Sequence, residues 1–177
     1  GRHSPRNQFV ADVLHRAGLG TLLFDLLTET EGEDRRNVFD VRRLADRLLT
    51  AVGWASARHA TRHLPIGLFG ASTGGGAAIV AATQQPLVRA VVCRGGRPDL
   101  AGAWLPHLQA PTLLIVGSLD SEVLALNRQA LAAMRGQHHL SVVHGATHLF
   151  EEPGALEQVA ALARDWFTAH VKTGDHP

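Results

Sequence analysis

Pro65-Ile66-Gly67-Leu68-Phe69-Gly70-Ala71-Ser72-Thr73-Gly74-Gly75-Gly76-Ala77-Ala78 is the stretch that decides how this chain is read. A short apolar run opens into small residues, with a serine at the apex and a glycine two positions to either side. The pattern is strand, sharp turn, helix. A serine in such a turn occupies a strained backbone position, so its neighbours must be nearly free of side chain. It also stands at a helix N-terminus, where free N–H groups stabilise a developing oxyanion. Residues 70–74 therefore fit the G-x-S-x-G form of a nucleophile elbow, with Ser72 as the nucleophile.

Working outward, helix and strand signals alternate. Ser4 reads as an N-cap with Pro5 at the first helical position, and Gly18 closes the helix. Thr21-Leu22-Leu23-Phe24 reads as a buried strand ending at Asp25, and the polar residues 28–37 as a surface loop. Val38, Val41, Leu44, Ala45, Leu48 and Val52 recur at helical spacing. After the elbow helix come a buried strand over 88–93 and an irregular stretch over 97–110. A strand over 112–116, a helix over 122–134 and a short strand over 140–143 follow. His138-His139 reads as a solvated turn, and Glu151-Glu152-Pro153 as the start of a last helix. Continuous apolar strands between amphipathic helices predict an α/β fold, a three-layer α/β/α sandwich around a mostly parallel sheet.

Composition narrows the function classes. The chain has 177 residues, 45% of them hydrophobic and 19% charged, which suits one domain over 1–177 and excludes a disordered chain. A net charge of +1 makes no case for nucleic acid or an anionic membrane. The single cysteine, Cys93, rules out an internal disulfide framework and suits the reducing cytoplasm. No apolar run approaches the roughly 20 residues of a membrane span. The polar start, Gly1-Arg2-His3-Ser4-Pro5, has neither signal-peptide character nor an initiator methionine, so the domain is expected to be incomplete at its N-terminus.

Two further reactive groups stand at strand ends. Asp120 follows the strand over 112–116, and His148 follows Val142-Val143 in His144-Gly145-Ala146-Thr147-His148. A serine is a poor nucleophile until a base takes its proton, and His148 is the candidate base. Asp120 would hold the imidazole tautomer and stabilise imidazolium. The chain order Ser, Asp, His is that of α/β-hydrolases.

Three segments carry a resemblance. The elbow, Ala110-Pro111-Thr112-Leu113-Leu114-Ile115-Val116-Gly117-Ser118-Leu119-Asp120, and Gly145-Ala146-Thr147-His148-Leu149-Phe150-Glu151 resemble the dienelactone hydrolase-like branch of the α/β-hydrolase superfamily, from about Arg2 to Phe167. The resemblance implies Ser72 as nucleophile, Asp120 as acid, His148 as base and the Thr73 N–H as one oxyanion donor. Dienelactone hydrolase itself has a cysteine at the elbow, so Ser72 does not imply a dienelactone substrate. The resemblance also implies a strand between residues 21–24 and the elbow strand, followed by a loop with a second oxyanion donor. Upstream residues would supply that strand; the alternatives are another chain, or direct pairing of the two neighbours. Some relatives carry a fused phosphoribosyltransferase domain, so a fused domain upstream is a possible partner.

Other residues have plainer readings. Arg94 and Arg97 follow a strand and are candidates to clamp a substrate carboxylate or phosphate, against an ion pair with Asp99, Asp120 or Glu122. Trp104 is a candidate substrate contact, whereas Trp54 and Trp166 read as packing. Asp25 reads as an anchor for Arg2 or Arg6, Asp99 as the fallback acid, and Cys93 as a packed thiol. His144 and His148 are four apart but lack a third ligand, so no metal and no organic cofactor is expected. The short stretch over 97–110 predicts an open site without a large lid. The expected function is a serine hydrolase of a small carboxylic ester, thioester or lactone. The competing expectation is a non-catalytic hydrolase-fold domain that binds a metabolite or supports a fused partner.

Overall fold

Strand β3 (Thr112–Gly117) has six consecutive buried residues, a pattern that requires helices on both faces of the sheet. A computed structural model describes residues 1–171 and shows this arrangement. Strands β1 (Ile66–Ala71), β2 (Val88–Arg94), β3 and β4 (His138–Val143) pair in the order β1-β2-β3-β4, all parallel. Ala71 pairs with Arg94 and Arg94 with Ile115, so the carboxyl ends of β1, β2 and β3 gather at one rim. The fold is the α/β architecture expected from the alternation of elements.

Helices α1 (Pro5–Arg16) and α7 (Ala155–Val171, the final described residues) cover one face. There Val10, Leu14, Val159, Ala163 and Phe167 bury Ala90, Val92, Leu113 and Ile115. The other face carries α4 (Val41–Ala57), α5 (Thr73–Gln84), α6 (Ser121–Ala133) and a 3₁₀ segment, Pro98–His107, interrupted at Gly102. Leu44, Ile79, Leu105 and Ala130 there meet Leu68, Val91, Cys93 and Leu114.

Several sequence expectations are corrected. Residues 21–24 form no strand. Among the described residues β1 pairs with β2 alone, so direct pairing of residues 21–24 with β1 does not occur. A strand persists only where its backbone groups find partners, and Leu22 is instead 55% exposed. With Phe24, Arg47, Ala51 and Trp54 it lines an open groove of about 420 Å³. Trp54 is half exposed rather than packed, under the Arg58 guanidinium. His138 and His139 lie in β4, paired with Thr112 and Leu113, rather than in a turn. Glu151 and Glu152 precede α7 instead of starting it.

The loop expected over 28–37 is two short helices, α2 (Glu29–Glu33) and α3 (Arg35–Phe39). The Thr28 hydroxyl accepts the Glu31 N–H at 3.2 Å, and the Glu31 carboxylate accepts the Thr28 N–H at 2.9 Å. This reciprocal cap is readable as T-x-x-E. Asp34 then caps α3 and Asp40 caps α4 through the N–H groups of Arg36 and Arg43. Arg47 and Arg43 both hold Glu31, which pins α2 against α4. The Arg47 hydrogen bonds, followed by the Thr28 N–H, keep the Glu31 carboxyl well below its ordinary range.

A lowered carboxyl stabilises the fold above its unfolded-state pKa, and that stability is lost as pH falls through the folded value. Glu31→Gln should therefore lower the melting temperature at pH 7. The gap to wild type should narrow below the ordinary carboxyl value of 4.5 and close at more acid pH. A gap that is the same across an acid series of thermal melts would refute the role of the charge.

Candidate active site

The turn between β1 and α5 sets the site. Ser72 has φ 52° and ψ −126°, backbone that a side chain adopts only under constraint. Three backbone hydrogen bonds provide it. The Ser72 N–H donates to Arg94 O at 3.2 Å, while Ser72 O accepts from Gly75 N–H and Arg97 N–H, each at 3.0 Å. The elbow is thus bound to the loop that leaves β2. Its glycines are unequal. A Cβ at Gly70 would lie 2.2 Å from Gly74 O, and one at Gly76 would lie 2.7 Å from Arg97 O, whereas a Cβ at Gly74 meets nothing within 4 Å. The serine's neighbours therefore need not all be bare.

Asp120 follows β3 and stands at the N-cap position of α6, yet its side chain caps no backbone N–H. The helix begins on the Asp120 carbonyl, which accepts from Leu124 N–H at 2.8 Å. The carboxylate is left to reach His148, with Asp120 Oδ2 2.6 Å from His148 Nδ1. A carboxylate only accepts, so Nδ1 carries the proton and Nε2 is the nitrogen free to take one. The Asp120 side chain is 13% exposed and that of His148 41%. A mostly buried carboxylate thus holds an imidazole that is partly open to solvent.

The His148 loop is fixed against the β3 loop. Leu119 N–H donates to Ala146 O at 3.0 Å, and Gly145 N–H donates to Ser118 Oγ at 2.8 Å. The imidazole rests on Gly95. A Cβ there would lie 3.3 Å from His148 Cε1 and 3.4 Å from Nδ1, and Gly95 has φ +51°. Gly95 directly follows Arg94, the residue at the end of β2 that holds Ser72, so the Ser72 turn and the His148 ring are seated side by side where β2 ends. The sequence reading did not single out Gly95, although a Gly-Gly pair after an apolar strand marks a tight turn.

The remaining candidates divide. Thr73 is the first residue of α5, so its N–H has no intrahelical acceptor. Arg97 grips Asp99 through Nε at 2.9 Å and Nη2 at 2.8 Å, which raises its pKa. That ion pair occupies Asp99. The guanidiniums of Arg97 and Arg35 stand 5.8 and 5.3 Å from the Phe39 ring. Trp104 is partly buried beneath Arg42. Arg94 is 8% exposed and donates to Asn7 Oδ1 at 2.9 Å, so its side chain is committed to packing. Burial, and then the like charge of Arg6, lowers the Arg94 pKa to about 10. Asp25 accepts from the Arg2 N–H. Cys93 is fully buried, and desolvation pushes its thiol up to about 12. Among the described residues no three metal-ligating side chains converge, and no helix is long and apolar enough to cross a membrane.

Comparison with known proteins fits this geometry. The profile of the dienelactone hydrolase family matches residues 9–173. The chain belongs to the dienelactone hydrolase family. A dienelactone hydrolase from Anabaena variabilis is 54% identical, with a TM-score of 0.91 over 96% of this chain and 81% of that one. The esterase domain of a Rhodothermus marinus protein, 20% identical, shares the fold with a TM-score of 0.70 over 94% of this chain and 80% of its own. Curated proteins of two Mycobacterium tuberculosis strains are 60% identical over 171 residues, and both are provisionally named phosphoribosyl transferase. The match takes in 96% of this chain but only 39% of their length. Membership of the dienelactone hydrolase family makes the chain a hydrolase-fold protein with esterase-like neighbours.

Gly95→Ala places a methyl group against the imidazole at a positive φ. It should lower turnover of a p-nitrophenyl ester about tenfold or more, because displacement on the ångström scale costs up to about 100-fold. Cooperative thermal unfolding should persist. Undiminished turnover would show that Gly95 does not seat His148.

Proposed function

We propose that this chain is a serine hydrolase of small carboxylic esters, thioesters or lactones. The observation that carries the reading is the 2.6 Å contact of His148 with Asp120, seated on the same loop that holds the strained Ser72. Ser72 Oγ attacks the substrate carbonyl as His148 Nε2 takes its proton. The carbonyl oxygen gains the charge, and the Thr73 N–H donates to it. Collapse of the adduct breaks the bond to the leaving group, which receives the proton from His148. Water then loses a proton to His148 and attacks the acyl carbonyl; the bond to Ser72 Oγ breaks, the acid leaves, and His148 returns the proton to Ser72. The scheme uses no metal or organic cofactor.

The surroundings support an open site for a small polar substrate. Only the short 3₁₀ segment stands where a lid would be inserted. Arg35 on Phe39 gives that region positive charge, while the charge of Arg97 is balanced by Asp99; a substrate bearing an anionic group would meet Arg35 there. Trp104 offers an apolar edge beside it. The lone buried Cys93 suits the cytoplasm. We assign the transferase name of the mycobacterial relatives to the 61% of their length outside the match. A second reading, a hydrolase-fold domain that binds without turnover, is favoured by the unpaired edge of β1.

Ser72→Ala should abolish p-nitrophenyl acetate hydrolysis, a loss of more than about 1,000-fold. A fluorophosphonate should label wild type at Ser72 and leave the variant unlabelled. Turnover retained by the variant would remove Ser72 from the role. Failure of well-folded wild type to label would favour the second reading.

A further inference from the structure

The half-exposed imidazole of His148 keeps its direction only if the backbone beneath it is fixed. Residues 146–152 make a compact turn. Phe150 N–H donates to Thr147 O at 3.2 Å. Phe150 has φ +54°, yet its ring is 2% exposed, so core burial holds a backbone that phenylalanine otherwise avoids. One end of the turn is held through Ala146, as described above. At the other end, Glu152 Oε1 accepts both the N–H of Thr147, at 3.1 Å, and its hydroxyl. Both bonds converge on the residue just before His148.

We propose that Glu152 is a positioning residue for His148, acting through Thr147. The inference rests on the reading of His148 as the base. The neighbouring charges do not explain Glu152 as an ion-pair partner. Arg6, Glu151 and Glu157 line the same cavity of about 300 Å³, but Arg6 Nη1 goes to Glu151 at 3.3 Å. The second Glu152 oxygen is shut off from solvent without a hydrogen-bond partner. Leaving that oxygen unpaired costs stability, which calls for a role of the side chain beyond folding. The Thr147 hydroxyl, and next the Glu152 backbone N–H, also hold the carboxyl below its usual range.

The test combines fluorophosphonate labelling rates at Ser72 with the His148 ring signals in a long-range ¹H–¹⁵N spectrum, which report tautomer and hydrogen bonding without turnover. Glu152→Ala should slow labelling about tenfold or more and shift or broaden the His148 signals. Glu152→Gln retains an acceptor oxygen and should recover both. Glu157→Gln, on the same cavity, should leave both at wild-type values. Labelling and ring signals unchanged in Glu152→Ala would overturn the proposal. Where Glu152→Ala does not fold, Thr147→Val removes the hydroxyl donor alone. It should give a smaller change in the same direction, and no change overturns the proposal. The ring signals are also read in Ser72→Ala. Wild type that does not label, with ring signals that still depend on Glu152, would sink the nucleophile reading and leave the positioning role standing.

Discussion

The β1–α5 turn is the constraint on which the rest of the site depends. A serine at positive φ is held by backbone hydrogen bonds to Arg94, Arg97 and Gly75. The first two come from the end of β2 and the loop after it, so the β1–β2 pairing and the elbow are one unit. Close approach makes this feasible. Gly75 lies against Cys93 and Gly76 against the Arg97 carbonyl, which brings α5 near enough to β2 for the hydrogen bonds to form. Side chains at either position would lift the helix and release the serine. The same loop then offers Gly95 to the imidazole, so helix packing, elbow strain and the placing of the base rest on one group of small residues.

Much of this was legible in the chain. The parallel sheet followed from apolar runs such as residues 112–116, because burial on both faces leaves no alternation to disguise them. Ser72, Asp120 and His148 were found from their places at strand ends, and the contact between the last two is a long-range one that no local pattern encodes. What escaped detection was governed by partners elsewhere. Residues 21–24 have strand composition but no paired neighbour, and propensity alone does not make a strand. Residues 28–37 look like a loop by polarity, while reciprocal capping by Thr28 and Glu31 makes two short helices. Arg94 looked available at a strand end, but its side chain turns to Asn7 on α1, and Arg97 is partly buried in its ion pair with Asp99. Gly95 has no side chain to draw attention, and Glu152 reads as the start of the last helix, whereas each matters through what it touches.

The two faces of the sheet have separate duties. On the α4–α5–α6 face, small residues of α5 permit close packing around the elbow. On the α1–α7 face, larger side chains such as Phe150 and Phe167 fill the space, and Phe150 anchors the base loop through that core. Ser72 is thus held by backbone proximity on one side of the sheet, and the His148 loop by a buried aromatic ring on the other. Asp120 and Gly95 join these two anchorages at the rim where the strands end.

The burial of Cys93 beneath the elbow helix gives the chain a built-in reporter. Only the thiolate is readily alkylated, and this thiol is both inaccessible and held protonated in the folded state. Maleimide therefore reaches it when α5 parts from β2, an opening that also dismantles the elbow. The rate of thiol capture in the unmodified protein consequently measures how often the scaffold around Ser72 comes apart, and through it the local opening free energy of the packing between α5 and β2.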